Sequence, residues 1–311
     1  MPTFLVTGAA GFIGAAIAKA LIKEENTVIT IDNLSTGYVE SIPEGCCFIM
    51  GDVFDANVLE KLTPYKFDAI IHIAGQSSGE VSFEDPIYDL NTNVQSVIML
   101  LEIAKKTKCK KFIYASTMSV YGDSPIECVN EESSVAPKSF YAVGKLASEH
   151  YMKLFSQYGI ACTALRLFNV YGPGQNMKNM KQGMASIFLA MAIKNRKILV
   201  KGSLERFRDF IYIDDVVDAV RHVLLKEQIN QFEVYNVSTG VKTTVGTLIN
   251  EISKNLQFDF SVETVGGTAG DQHGIYGENT KIKRLLGWDV RYSLKEGMSK
   301  MVEWAQSSAN Y

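Results

Sequence analysis

The stretch TFLVTGAAGFIG, residues 3–14, decides how the chain is read. Thr3–Thr7 is a run of β-branched and aromatic residues. It meets glycines at 8, 11 and 14, and an apolar helical pattern then continues to Lys23. Strand, tight turn and helix in that order open a βαβ unit. Glycines in such a turn let the backbone approach a pyrophosphate, and the first helical turn offers unpaired N–H groups to an anion. A glycine triplet alone also suits a helix that merely packs closely on its strand. Phe4 to Ala18 carries no charge, yet it lacks a basic leader and is shorter than a membrane span. The expectation is a buried strand and helix in a cytoplasmic protein.

The same rhythm extends outward. Further strands are expected at Thr27–Ile31, Cys47–Met50, Ala69–Ile73, Lys111–Ala115 and Cys162–Leu167, with helices at Gly11–Lys23, Asn57–Leu62, Tyr88–Lys106 and Tyr141–Tyr158. Nearly continuous apolar strands alternating with helices predict an α/β fold, a doubly wound (Rossmann-type) parallel sheet covered on both faces. Its ligand crevice lies at the carboxyl ends of the strands. Past residue 170 the rhythm breaks at Gly172-Pro173-Gly174. Residues 1–170 are read as a nucleotide-binding domain, with segments near 209–225 and 234–240 returning to it. Residues 171–311 are read as a smaller α/β substrate domain.

Composition narrows the classes. The 311 residues are 47% hydrophobic and 21% charged with a formal charge of −3, which gives no reason to expect nucleic acid or a membrane surface as partner. Cys46, Cys47, Cys109, Cys128 and Cys162 form no CxxC pair, so free thiols are expected. No His/Cys/Asp cluster has metal-ligand spacing, and no metal is expected.

Asp32 follows the second strand, where a carboxylate accepts from an adenosine ribose and repels a 2′-phosphate, favouring NAD over NADP; a solvated loop aspartate is the alternative. Asp52 either meets the adenine or caps a helix. Strand 111–115 runs into Ser116, Thr117, Met118 and Ser119, placing hydroxyls at a crevice-facing strand end. Tyr141 and Lys145 are four apart, hence on one helix face. An ammonium beside a phenol favours the phenolate, so Tyr141 is expected to be made acidic and to work as a base. His72 is read as a packed core histidine and His150 as a surface residue.

In order and spacing, Gly8–Gly14, Asp32, Thr117, Tyr141-Ala142-Val143-Gly144-Lys145, the run Arg166-Leu167-Phe168-Asn169-Val170-Tyr171-Gly172-Pro173 and the run Arg208-Asp209-Phe210-Ile211-Tyr212-Ile213-Asp214-Asp215 resemble the extended short-chain dehydrogenase/reductases. Among these the chain is most similar to the nucleotide-sugar epimerases and dehydratases of the UDP-galactose 4-epimerase type. The resemblance covers essentially the whole chain. It implies that Tyr141 is the base, that Lys145 holds the nicotinamide ribose and lowers the tyrosine pKa, and that Thr117 bonds the sugar oxygen. The NAD set is then Gly8, Gly11, Phe12, Ile13, Gly14, Asp32, Asn33, Asp52, Val53, Ala74, Gly75, Asn93, Ser116, Tyr141, Lys145 and Phe168. Gln76, Ser77, Thr117, Asn169 and Arg208 are expected at a nucleotide-diphosphate sugar. The resemblance also implies a homodimer in which helices 88–106 and 141–158 build a four-helix bundle.

Family dehydratases carry Asp-Glu after the threonine, and related decarboxylases a Glu at the position of Ser119. Met118 and Ser119 stand here, so hydride removal and return is the expected chemistry, most simply at C4 of a UDP-hexose. A nucleotide-sugar dehydrogenase, an epimerase at another carbon, other nucleotide bases and an NAD-sensing scaffold remain as alternatives. Arg208 suits a diphosphate, or an ion pair with Asp209 or Glu205. The second arginine that family 4-epimerases bring to the diphosphate falls on Thr268, so either Lys201, Arg206 or Lys242 substitutes for it or the nucleotide binds differently.

Overall fold

The computed structural model describes residues 1–227, 231–266 and 274–307. A first unit comprises Met1–Val120, Pro137–Arg166 and Val217–Tyr235. Its strands are Thr3–Thr7 (β1), Thr27–Asp32 (β2), Cys47–Met50 (β3), Ala69–His72 (β4), Lys111–Thr117 (β5), Ala161–Leu167 (β6) and Phe232–Val237 (β7). They form one sheet in the order β7-β6-β5-β4-β1-β2-β3. The pairs β1–β2, β1–β4, β2–β3 and β4–β5 are parallel in register. The order of connection reverses between β1 and β4, which opens a crevice at their carboxyl ends. The doubly wound sheet expected from the sequence is formed.

Helices start where the sequence supplies caps. Asp55 accepts from Asn57 N–H to open Ala56–Glu60 (α2), and Ser78 accepts from Val81 N–H to open Gly79–Glu84 (α3). Asp85 caps Pro86–Leu90 (α4) with Pro86 in its first turn, and Ser139 caps Phe140–Phe155 (α6). Phe12–Lys23 (α1) begins at Gly11 with no capping side chain. The single helix expected over 88–106 is instead α4, a π-turn at Asn91–Gln95, and Ser96–Thr107 (α5). Hydroxyls there bond back to the helix: Thr92 Oγ1 donates to Tyr88 O at 3.0 Å and Ser96 Oγ to Thr92 O at 2.6 Å. Such bonds compete with the regular ladder. Leu5, Ile29, Ile70, Val97, Leu101, Phe112 and Met152 pack between the layers, each contributing about 1.5–3 kcal/mol of burial.

The second unit comprises Tyr121–Ala136, Leu167–Val216 and Asn236–Tyr311. It differs from the expected division at Tyr121–Ala136, which it includes, and at the segment returning to the first unit, which is Val217–Tyr235 and not 209–225 with 234–240. The strand Cys128–Val129 pairs there with Tyr276–Gly277, and Tyr121 donates to Asn236 Oδ1 at 2.6 Å. Short pairs make up the rest, among them Asn169–Tyr171 with Phe210–Tyr212 and Phe207–Arg208 with Thr243–Thr244. All five thiols are free. Among the described residues no helix is long and apolar enough to cross a membrane, and no His/Cys/Asp/Glu cluster suits a metal.

His72 is the core histidine expected, and its tautomer follows from its partners. Thr7 Oγ1 accepts the N–H groups of Ile73 and Ala74 at 3.1 Å each. Its own proton therefore goes to His72 Nδ1, 2.7 Å away. Ser96 spends its proton on Thr92 O, so His72 Nε2–H donates to Ser96 Oγ at 3.1 Å. A second ring proton would face the Thr7 donor. Burial, with the Lys145 charge, lowers His72 to about 3. The unfolded residue takes a proton near 6.5, so stability is full above that pH and falls as pH drops toward 3. Urea unfolding between pH 7 and 4 should show a slope of up to about 1.4 kcal/mol per pH unit from this residue. His72→Gln should remove it; an unchanged slope would assign the acid sensitivity elsewhere.

Candidate active site

The turn after β1 is held from below by β2. Asp32 Oδ2 accepts from Ala10 N–H at 2.9 Å and Oδ1 from Leu34 N–H at 2.8 Å. Asp32 is 9% exposed, so it is not a solvated loop residue, and it still has lone pairs for a ribose hydroxyl. Gly8 has φ +74°, and a Cβ there would lie 2.7 Å from Ala74 N; only glycine fits. Asn33 Nδ2 donates to Asp52 Oδ1 at 2.6 Å. The cap of α2 is Asp55, which removes the helix-cap alternative for Asp52. Phe12 and Ile13 are half-buried, while Gly14 and Val53 are buried.

These residues fit a dinucleotide on three counts. The first turn of α1 has neither a capping side chain nor an acidic residue, leaving its N–H groups for a phosphate. Asn93 Oδ1 is buried without a hydrogen-bond partner. It lies where a Cβ on Gly75 would come within 2.5 Å of it and 3.5 Å of Lys145 Nζ. An open backbone, an orphan acceptor and an amine thus meet beside Ala74, at the end of β4.

The catalytic candidates gather at the end of β5. Thr117 is buried, and Ser119 N–H donates to its Oγ1 at 3.1 Å. Tyr141 and Lys145 sit in the first two turns of α6. The Lys145 ammonium donates to Ala115 O at 2.9 Å and lies 4.5 Å from the Tyr114 ring centroid and 5.8 Å from that of Tyr141. Here one expectation is corrected. Burial pushes Tyr141 up to about 12, and the Thr117 hydrogen bond only partly opposes it. Burial also lowers Lys145 to about 7, against the pull of Asp89. Desolvation outweighs the expected acidification because Lys145 is bound to the strand and not to the phenol.

Two further side chains point elsewhere than expected. Ser116 donates to Glu149 Oε1 at 2.5 Å, into the protein, since alternate strand residues face opposite sides. Gln76 spends its amide on its own loop and on α4: Nε2 donates to Ser78 O and Asp89 Oδ1 at 2.8 Å each, and Oε1 accepts from Ser78 N–H. Ser77 is exposed. The sequence reading assigned no role to Asp89 or Glu149. Glu149 lies one turn beyond Lys145, and Arg166 forks onto it through Nε at 3.0 Å and Nη2 at 2.7 Å. The i+4 step from Lys145 was the available signal.

Phe168, Asn169 and Arg208 belong to the second unit. Asn169 Nδ2 donates to Asp209 O at 2.9 Å, and Phe168 is buried. The Asp209 carboxylate is committed to Thr239, Gly240 and Gly277. Burial and the neighbouring Arg206 charge lower Arg208 to about 10. Lys242 pairs with Glu127 at 2.8 Å, whereas Arg206 donates to Ser203 O and Lys201 O. Arg206 is thus the candidate cation whose charge reaches Arg208. Thr268 lies outside the described residues.

Residues 4–238 match the model of the NAD dependent epimerase/dehydratase family. A UDP-glucose 4-epimerase of Mycolicibacterium smegmatis is 32% identical over 312 residues, covering 98% of this chain and 99% of the relative. The crystal structure of a UDP-glucose 4-epimerase from Thermotoga maritima, with UDP-glucose, superposes with TM-score 0.93 at 33% identity over 98% of both chains. A UDP-glucose 4-epimerase of Thermus thermophilus in complex with NAD gives TM-score 0.91 at 30% identity, over 99% of this chain and 100% of the other.

Asp32→Ala strips the buried Ala10 N–H and the half-buried Leu34 N–H of their acceptor. Its unfolding free energy in urea should fall by about 1–3 kcal/mol, and the purified protein should carry less NAD by absorbance. Asp32→Asn, which keeps one oxygen, should lose less.

Proposed function

This chain belongs to the NAD dependent epimerase/dehydratase family, and from that premise we propose that it inverts C4 of a UDP-hexose through a 4-keto sugar. NAD, when bound, supplies the acceptor and donor of the hydride. The chain's own groups handle the proton and the position. Tyr141, whose phenolate the positive charge of an oxidised nicotinamide would favour, takes the proton of the sugar hydroxyl and returns it. Thr117 donates to that oxygen as it becomes a carbonyl. Lys145, Asn93 and Asp32 hold the ribose hydroxyls, and Gly8, Gly11 and Gly14 admit the pyrophosphate. Asn169 and Arg208 anchor the sugar's diphosphate, which lets the ketone turn over without leaving.

The observation that carries this reading is the cluster of Thr117, Tyr141 and Lys145 at the end of β5, followed by Met118 and Ser119. Neither Met118 nor Ser119 offers a carboxylate to drive elimination or decarboxylation. The likeness to UDP-glucose 4-epimerases over nearly the full chain supports uridine as the base.

We also propose a homodimer. Phe140, Val143, Tyr151, Leu154 and Tyr158 recur along α6 and its extension and are 40–61% exposed, and Phe83, Ile87 and Leu90 join them from α3 and α4. Leu154, which the helical pattern alone would place in the core, is 58% exposed. A stripe of this kind on paired helices suits a four-helix bundle.

Incubated with UDP-, GDP-, CDP- and dTDP-sugars, the protein should convert UDP-glucose and UDP-galactose into each other by NMR, with no change in mass and no free NADH. Loss of water would mark a dehydratase, and NADH release a dehydrogenase. Tyr141→Phe should lower the rate at least about 100-fold while keeping its NAD; full activity would exclude Tyr141 as the proton carrier. Leu154→Glu should shift the protein from dimer to monomer in size-exclusion chromatography with light scattering; an unchanged mass would place the interface elsewhere.

A further inference from the structure

Asp89 is 1% exposed, and among the described residues no arginine hydrogen-bonds to it. Two neutral amides hold Oδ1: Gln76 Nε2 at 2.8 Å and Asn93 Nδ2 at 3.1 Å. Its Oδ2 lies over Gly144, where a Cβ would come within 3.4 Å of it. The carboxylate therefore reaches the backbone of α6 at Gly144, where even a methyl would touch it. Gly144 immediately precedes Lys145 on α6.

The surroundings of Lys145 identify what that charge does. From β5 come the Ala115 carbonyl and the Tyr114 ring. From β4 comes His72, neutral between two hydroxyls. Tyr141 and Glu149 share its own helix, and Glu149 is already forked by Arg166. From α4 comes Asp89, reached through Asn93: its Oδ1 accepts from Asn93 Nδ2, and Asn93 Oδ1 faces the same gap at Gly75 as Lys145 Nζ. A buried ammonium without a counter-charge gives up its proton, and a buried carboxylate without one takes a proton.

We propose that Asp89 is a positioning residue for the Tyr141–Lys145 pair: clamped by Gln76 and Asn93 against Gly144, it supplies the counter-charge that fixes the Lys145 ammonium beneath the crevice. The inference deepens the reading of Tyr141 and Lys145 as the proton-handling pair and rests on it. The mutual effects agree. Asp89 is the group that opposes the downward pull of burial on Lys145. Lys145 in turn joins Gln76 and Asn93 in opposing the upward pull of burial on Asp89. The same clamp braces the Gln76–Ser78 loop, since Asn93 Nδ2 also donates to Gln76 O at 2.9 Å. One carboxylate thus sets both the amine and the loop.

The test follows the amine directly. In NAD-loaded protein labelled with ¹⁵N-lysine, the Lys145 Nζ resonance, identified by its loss in Lys145→Met, is titrated between pH 5 and 10. Asp89→Asn keeps an oxygen for Gln76 and Asn93 but removes the charge. Its Lys145 midpoint should fall by about one pH unit or more. The alkaline limb of kcat should move down with it, while the thermal midpoint and NAD content stay near wild type. An unchanged Nζ midpoint in the folded variant overturns the inference, even if epimerisation is robust. A shifted midpoint in a protein that epimerises no nucleotide sugar upholds the charge pairing and removes the catalytic reading instead. Should Asp89→Asn fail to fold, the coupling is read from the other side: in Lys145→Met the Asp89 carboxyl ¹³C midpoint should rise, and an unchanged midpoint there is equally decisive against it.

Discussion

A carboxylate buried on a helix must find its charge partner inside the protein, and Glu149 does so in a way that fixes the whole site. Arg166 forks onto it from β6, and Ser116 donates to it from β5. One turn earlier, Lys145 reaches the Ala115 carbonyl on β5, and Ser148 reaches Asn93 O at 2.5 Å. Each link is desolvated, so breaking one strands a charge or a donor without water to replace it. The helix carrying Tyr141 consequently cannot slide along the sheet without opening several such bonds together. Precision at the phenol comes from polar bonds one and two turns away.

The charge balance near the crevice follows from the same desolvation. His72 is held neutral by hydroxyls that leave no acceptor for a second proton. Tyr141 keeps its proton to high pH, and Lys145 is brought near neutrality. The chain alone therefore places a reluctant acid beside an indecisive base.

What the sequence disclosed was local. Glycine spacing after β1, the aspartate after β2 and the four-residue step from Tyr141 to Lys145 are short-range patterns, and the fold keeps them together. What it concealed depends on burial and distant pairing. Asp89 reads as one more polar residue on a helix until Gly144 and Asn93 close around it. The ammonium beside Tyr141 suggested an acidic phenol, but spacing carries no information on how much water remains. Tyr121–Ala136 joined the second unit because Cys128–Val129 meets Tyr276–Gly277, a pairing that two residues of strand cannot announce.

The π-turn at Asn91–Gln95 carries a consequence for how such a chain can vary. A π-turn holds one residue more than the α-helical ladder needs. Deleting a single residue there restores a regular helix at little cost to folding and leaves the flanking turns facing as before, but it resets the side chains inside the turn, Asn93 among them. Asp89 and the hydrophobic face of α5 would stay in place while the Asn93 amide lost its hold on Gln76 and Asp89. Length changes at this point would be tolerated by the scaffold and ruinous to the chemistry, so drift in length should collect in the surface loops and spare this segment.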